Sequence, residues 1–114
     1  MKEELYRKIV DADPVFFGNL DCMGGIECGD GWFEPLLRLA GKTAVLNLIL
    51  AQKGIRVVAE QVKSKFAELR CHWAMVGIDG MDPVVDRTQE AVYNLVSDAI
   101  EKCESDSLLK GVAK

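Results

Sequence analysis

The chain has 114 residues, of which 49% are hydrophobic and 28% charged, so its length and composition fit one globular domain and exclude a disordered segment. Fourteen basic residues against eighteen acidic ones give a net charge of −4, which argues against broad binding to the phosphate backbone of nucleic acids. The first residues are polar, without a signal segment, and the longest apolar run, residues 44–51, is too short to cross a bilayer. We therefore expect a cytoplasmic protein with no membrane partner.

The first part of the chain predicts a short helix followed by a loop. Apolar residues recur at helical spacing between residues 3 and 10. This helix should end before Asp13-Pro14, because the residue that precedes a proline is pushed out of the helical region. Residues 19–31 contain four glycines and predict a long irregular loop.

A long second helix is predicted after this loop. Asp30 is the expected N-cap, and apolar residues recur at helical spacing from Phe33 to Ala51. Few residues in the second half of this run are polar, so we expect the helix to be the most buried element. Gly41 weakens the prediction of an unbroken helix, and Lys53-Gly54 predicts its end.

Two strands follow in the predicted order. Residues 55–66 are rich in β-branched side chains, and residues 67–77 alternate between apolar and polar. One face of the second strand carries Leu69, Cys71, Trp73 and Met75. We expect a hairpin that turns near residues 63–68.

A last helix completes the predicted domain. Asp82-Pro83 is typical of a helix start, with an N-cap followed by proline at the first helical position. The buried face of this helix should carry Thr88, Val92, Leu95, Ala99 and Cys103. The order helix, helix, strand, strand, helix predicts an α+β domain over residues 1–105, with helices packed on a small antiparallel sheet and a frayed tail over residues 106–114.

The cysteines and the histidine do not form a pattern typical of catalysis or metal binding. The irregular spacing of Cys22, Cys28, Cys71 and Cys103 predicts reduced thiols, most of them buried. Cys71 and His72 are neighbours on a predicted strand, so their side chains point to opposite faces and do not pair as nucleophile and base. We therefore predict no enzyme, no metal site and no cofactor.

Two segments in order resemble the paired motifs of a family of small uncharacterised proteins of tailed phages and prophages. They are IECGDGWFEPLLRL at residues 26–39 and VKSKFAELRCHW at residues 62–73, and DPVFFGNL at residues 13–20 is similar to the segment that precedes them in the family. The resemblance implies a phage or prophage origin. The motif residues with a predicted structural role are Gly29, Asp30, Gly31, Trp32, Phe66 and Trp73. The glycines should allow tight turns, while Trp32 should enter the core. Relatives often end in a Cys-Glu-x-Cys-Gly knuckle where this chain has CESDS, so no zinc site is expected.

The leading functional hypothesis is a non-catalytic phage accessory protein that binds host machinery, for example an inhibitor of a bacterial defence system such as CRISPR–Cas. Its candidate partner-binding residues are Asp79, Asp82, Glu90, Asp98 and Glu101. The alternative is a nucleic-acid-associated module that uses the basic hairpin residues Arg56, Lys63, Lys65 and Arg70. A third hypothesis is a homo-oligomeric virion or assembly component, and the weakest hypothesis is a residual zinc site.

Overall fold

The structure is a computed structural model that describes residues 1–22, 24–65, 68–77 and 87–109. Within these ranges the helices are α1 (Glu3–Ala12), α2 (Pro14–Phe17), α3 (Phe33–Ala51) and α4 (Arg87–Leu109), and the strands are β1 (Ile26–Glu27), β2 (Ile55–Lys65) and β3 (Glu68–Gly77). The predicted α+β class is confirmed. The predicted order of elements is wrong in detail, because α2 and β1 are added and the three described strands form a mixed sheet in the order β1-β2-β3.

The boundary between α1 and α2 lies at Asp13-Pro14. α1 ends at Ala12 as predicted, and the carboxylate of Asp13 accepts hydrogen bonds of 3.2 Å from the backbone N–H groups of Val15 and Phe16. Since Pro14 occupies the first turn of α2, where its missing N–H costs nothing, the same dipeptide ends one helix and begins the next.

The segment predicted as an irregular loop contains two short 3-10 helices, Gly18–Cys22 and Asp30–Trp32, and the strand β1. β1 pairs in parallel with β2, with Ile26 opposite Val62 and Glu27 opposite Lys63. Gly24 and Gly25 lead into β1 with φ values of 95° and 76°, in a region that residues with a side chain rarely adopt. Gly24 and Gly25 are therefore the glycines that allow the predicted tight turn in this segment.

The prediction that Asp30 caps the long helix is wrong. α3 begins at Phe33 without a side-chain cap, and the carboxylate of Asp30 instead accepts a 2.8 Å hydrogen bond from the backbone N–H of Lys2. The prediction that Trp32 enters the core is confirmed, because its side chain is 3% exposed. α3 continues through Gly41 and ends before Gly54, whose φ of 72° fits the predicted helix stop.

The hairpin is confirmed, with β2 and β3 antiparallel from the pair Ile55–Gly77 to the pair Lys65–Glu68 and an irregularity at Glu60. The residues of β2 that face the helices are fully buried, namely Val57, Ala59 and Val62. On β3 the predicted face is confirmed, since Leu69 is buried and Cys71, Trp73 and Met75 pack against the core. The opposite face of the hairpin carries no described helix.

Two asparagines attach β2 to the helical side of the molecule. The buried amide of Asn47 on α3 accepts a 2.8 Å hydrogen bond from the N–H of Val57 and donates a 3.1 Å bond to its carbonyl. Asn19 donates to the carbonyl of Ala59 over 3.1 Å. These bonds satisfy backbone groups of β2 that point away from β3.

α4 buries the predicted face except at one position. Val92 and Cys103 are buried and Ala99 packs against the core as expected, but Leu95 is 57% exposed and Val96 is fully buried. Val92, Val96, Ala99 and Cys103 lie on one side of the helix, since successive residues are about 100° apart, and Leu95 lies at the margin of that side. α4 extends to Leu109, four residues into the segment for which fraying was expected, and residues 110–114 lie outside the described part of the chain.

Candidate binding surfaces

An apolar groove separates α3 from α4 on the solvent side of the molecule. Its volume is about 350 Å³, and its walls include Val45, Leu46 and Ile49 from α3 and Leu95 and Ala99 from α4. Val45, Ile49 and Leu95 are 59%, 55% and 57% exposed. The two helices contact each other below this opening, where Val96 is fully buried. The groove is therefore a shallow apolar channel between two packed helices.

Sequence reasoning missed this groove because it expected both of its walls to be buried. α3 was predicted to be the most buried element, yet Val45, Leu48 and Ile49 are all more than half exposed. The signal was present in the sequence, since apolar residues surround the second half of α3 on all sides. In a small domain only one side of such a helix finds a partner within the chain.

One acidic residue of the predicted partner-binding set lines this groove. Asp98 lies at its α4 rim and Lys42 at its α3 rim. Glu90 and Glu101 are exposed on α4 but do not line the groove. Asp79 and Asp82 lie outside the described residues.

The basic residues of the hairpin lie on the face of the sheet opposite the helices. The strand register places Lys63 directly opposite Arg70, and Arg56 lies on the same face, opposite Val76. Arg56 and Arg70 are exposed, and Lys63 is half-buried. The structure therefore pairs two of the four predicted basic residues, Lys63 and Arg70, and places Arg56 on the same face toward the other end of the hairpin, while for Lys65 only the backbone is described.

The aromatic residue nearest to this basic surface faces the other way. Trp73 projects toward α4, where its ring lies 5.6 Å from that of Tyr93. Phe66 lies outside the described residues. The predicted combination of a basic face with an aromatic stacking partner is thus absent from the described part of the hairpin, because adjacent positions on a strand point to opposite faces.

The thiols lie in environments that suppress their ionisation. Burial raises the pKa of Cys28 to about 11 and that of Cys71 to about 12. Cys103 is buried, and Cys22 is the exposed member of the set. Since thiolate is the reactive form, Cys28 and Cys71 are poor nucleophiles at neutral pH. Among the described residues, no three His, Cys, Asp or Glu side chains are placed to hold a metal ion.

A polar cluster that the sequence did not reveal ties α1 to the first 3-10 helix. The guanidinium of Arg7 contacts the carboxylates of Glu3 and Asp21 at 2.8 and 3.2 Å, and the hydroxyl of Tyr6 donates to Asp21. The bond from Tyr6 holds the pKa of Asp21 below its usual range, with a further contribution from Arg7. Burial, reinforced by Asp21, raises the pKa of Tyr6. The single guanidinium thus bridges the two carboxylates and links α1 to the first 3-10 helix.

The fold and these surfaces define a small α+β protein whose mixed sheet has helices on one face. Comparison of the chain with protein-family models, with curated proteins and with solved structures gives no match. None of the helices searched in the described residues has the length and apolar character needed to span a bilayer.

Proposed function

We propose that the protein acts by binding, without catalysis, and that it takes an amphipathic helix of a partner protein into the groove between α3 and α4. The observation that carries this proposal is the exposure of Val45, Ile49 and Leu95 along one continuous channel. Single exposed apolar residues are ordinary on a protein surface, but a channel lined by several of them from two helices is typical of an interaction site.

The geometry of the walls favours a helix as the ligand. Val45 and Ile49 are four residues apart on α3, and Leu95 and Ala99 are four residues apart on α4, so each wall is one row of a helix surface. The apolar ridge of a third helix packs into a channel between two such rows. The partner helix should then carry apolar residues at i, i+3, i+4 and i+7.

The rims of the groove add charge specificity. Lys42 lies at the α3 rim and Asp98 at the α4 rim, and neither forms an ion pair with another described residue. A partner helix with an acidic residue beside Lys42 and a basic residue beside Asp98 would complement both charges. Such rim charges mainly set orientation and association rate.

The class of partner follows from the resemblance of the two sequence motifs to phage and prophage proteins. A phage accessory protein of this kind would bind host machinery, and an inhibitor of a bacterial defence system such as CRISPR–Cas is the most concrete form of the proposal. The suppressed thiols support a non-catalytic mode of action, because Cys28 and Cys71 are not poised as nucleophiles.

The test compares two variants that add the same charge to α4. Leu95→Asp places a carboxylate in the groove, whereas Asn94→Asp places one on the exposed surface one residue away. The partner is first captured from nuclease-treated host lysate and identified by mass spectrometry. It is then purified, and its affinity for each variant is measured by calorimetry. We expect Leu95→Asp to weaken binding by at least about tenfold and Asn94→Asp to leave it unchanged. Equal affinities for both variants would contradict the proposal.

A second candidate function is nucleic-acid binding by the basic face of the hairpin, and the cross-strand pair of Lys63 and Arg70 on that face, with Arg56 farther along it, favours it. This function predicts an affinity that falls steeply with salt, with a slope near 0.9 per duplex phosphate contact. Arg70→Glu should then reduce binding to DNA, while Leu95→Asp should not. A salt-independent affinity would remove this candidate.

A further inference from the structure

The two long edges of the described sheet differ in how their backbone groups are satisfied. On the β2 side, β1 pairs in parallel with β2, and the amides of Asn47 and Asn19 bond the backbone of Val57 and Ala59. Most of this edge is therefore closed by residues from the rest of the chain. Native proteins protect strand edges in this way, because an open edge is a template for another strand.

The outer edge of β3 presents the backbone groups of alternate residues. In an antiparallel pair, residues opposite each other direct their backbone groups either both toward each other or both away. Val57 directs its N–H and C=O to Asn47, so its partner Met75 directs its own groups away from β2. Alternation along the strand gives the same direction to Cys71, Trp73 and Gly77.

The accessible part of this edge lies within residues 71–75. Before it, the outward N–H of Leu69 donates to Glu104 on α4 over 2.9 Å. After it, Gly77 is buried, whereas the outward-facing residues of the stretch are half-buried. No described residue bonds the outward N–H and C=O groups of this stretch. Each of its three outward-facing residues therefore offers one donor and one acceptor to a further strand.

Two aromatic rings extend the helical side of the sheet beyond this edge. Tyr93 of α4 is 60% exposed, and the centre of its ring lies 5.6 Å from that of Trp73. An open space of about 380 Å³ is lined by Tyr93 and by both faces of the strand, since Trp73 points toward the helices and His72 points away from them. Side chains on the helical side of an added strand would lie on these two rings. Apolar side chains fit that position.

The other face of the hairpin carries basic residues toward both of its ends. Arg70 lies opposite Lys63 near one end, and Arg56 lies opposite Val76 near the other. The acidic residue of β2, Glu60, lies at the irregularity between them and offsets one of these charges. This face is therefore locally basic in a chain whose net charge is −4. An acidic strand beside it is attracted, whereas a second copy of β3 would bring a second basic face into the same sheet.

We propose that the outer edge of β3 takes an extended acidic segment of a partner protein as a fourth strand of the sheet. The segment pairs antiparallel, the direction that is slightly more stable per residue. Its apolar side chains lie over Trp73 and Tyr93, and its acidic side chains lie on the other face, one of them opposite Arg70. Each outward-facing residue exchanges two backbone hydrogen bonds with the residue that faces it, so the pairing contains about six. Backbone bonds supply affinity, and the alternating side chains supply specificity.

A peptide strand fits this edge better than a nucleic acid does. The phosphates of a nucleic acid accept hydrogen bonds but donate none, so they leave the outward C=O groups of β3 unpaired, whereas a peptide backbone offers both partners. The edge shares no lining residue with the α3–α4 groove. The two binding surfaces can therefore be tested separately.

Synthetic peptides test the backbone pairing. The probe is a capped peptide of alternating valine and glutamate with the length of a typical strand. In the antiparallel alignment the valines direct their backbone groups to β3, whereas those of the glutamates point away. N-methylation of the valines removes these bonds, and N-methylation of the glutamates is the matched control. In NMR titrations of the protein, we expect the first change to weaken binding at least about tenfold and the second to leave it unchanged.

Charge reversal tests the acidic character of the partner segment. Arg70→Glu should weaken binding of the valine–glutamate peptide about fivefold and transfer the preference to a valine–lysine peptide. Lys8→Glu is the matched control, because it makes the same change of charge at an exposed position on α1. Leu95→Asp, in the α3–α4 groove, should leave the affinity for the peptide unchanged.

Three results overturn the proposal: no binding of the valine–glutamate peptide at about 1 mM, equal weakening by the two N-methylations, or an affinity that Arg70→Glu leaves unchanged. Weakening by N-methylated glutamates alone contradicts the antiparallel alignment, because those residues supply the bonds in a parallel pair. A dimer in sedimentation velocity, with no peptide bound, would place a second copy on the edge instead. Binding of single-stranded DNA but not of peptide would assign the basic face to nucleic acid. Loss of helix binding with intact peptide binding contradicts only the function proposed for the groove.

Discussion

Asn47 holds β2 against α3 through both backbone groups of Val57, and its replacement by alanine tests how much of the stability depends on this attachment. Asn47 is 6% exposed and Val57 is fully buried, so water does not replace the lost partner freely. Asn47→Ala leaves one N–H and one C=O unsatisfied in the interior, and each costs about 1–3 kcal/mol. We expect the free energy of unfolding to fall by about 2–6 kcal/mol, a large share of the 5–15 kcal/mol typical of a domain.

The measurement is urea unfolding followed by tryptophan fluorescence, with the free energy extrapolated linearly to water. Asn19→Ala is the matched control, since Asn19 is exposed and makes one backbone hydrogen bond, to Ala59 over 3.1 Å. Its loss should cost about 1–3 kcal/mol, because it frees one buried backbone group whereas Asn47→Ala frees two. If Asn47→Ala destabilised the protein no more than Asn19→Ala does, the argument from buried unsatisfied groups would be refuted.

Three further predictions concern the core, the acid response and the thiols. Trp32→Ala should destabilise the protein by about 3–5 kcal/mol in urea unfolding followed by circular dichroism, and a loss under about 1 kcal/mol would contradict its role in the core. The bond from Tyr6 holds the pKa of Asp21 in the folded protein below its usual range. Asp21 therefore stabilises the fold above about pH 3.9, the usual pKa of an aspartate. This stabilisation is lost as the pH falls through the lower pKa of the folded protein. The stability difference between the unchanged protein and Asp21→Asn should therefore close in acid, and a constant difference between about pH 2 and pH 7 would be inconsistent with this pairing. A thiol reagent at about pH 8 should modify exposed Cys22 well before Cys28, whose pKa burial raises to about 11, as peptide mass spectrometry would show.

The elements that the sequence predicted well depend on local chemistry. The alternation along β3 and the proline after Asp13 act over a few residues, so the hairpin and the end of α1 follow from the sequence. The start of α2 was also predictable, because Asp13-Pro14 has the same N-cap and proline pattern that was used for Asp82-Pro83. Trp32 is buried as expected for a large aromatic residue beside an apolar run.

The failed predictions depend on contacts between distant parts of the chain. Asp30 is the same residue type as Asp13 and an equally suitable N-cap, but its carboxylate accepts a hydrogen bond from the backbone N–H of Lys2 instead. Whether Leu95 or Val96 turns inward on α4 depends on where that helix docks against α3. The α3–α4 groove was invisible for the same reason, since an apolar run around the second half of α3 does not say which of its sides is covered.

The parallel pairing of β1 with β2 has a consequence for the order in which the chain folds. The hairpin joins residues close in sequence, whereas Ile26 meets Val62 across a stretch of chain that contains all of α3. Closing such a loop costs more entropy than forming the hairpin, so β1 should join the sheet late. Until β1 pairs, β2 is an edge strand, although it is the central strand of the folded sheet. During refolding at high protein concentration, this edge of β2 can therefore pair with strands of other molecules. Pulse-labelled hydrogen exchange should find the amides of β1 among the last to be protected.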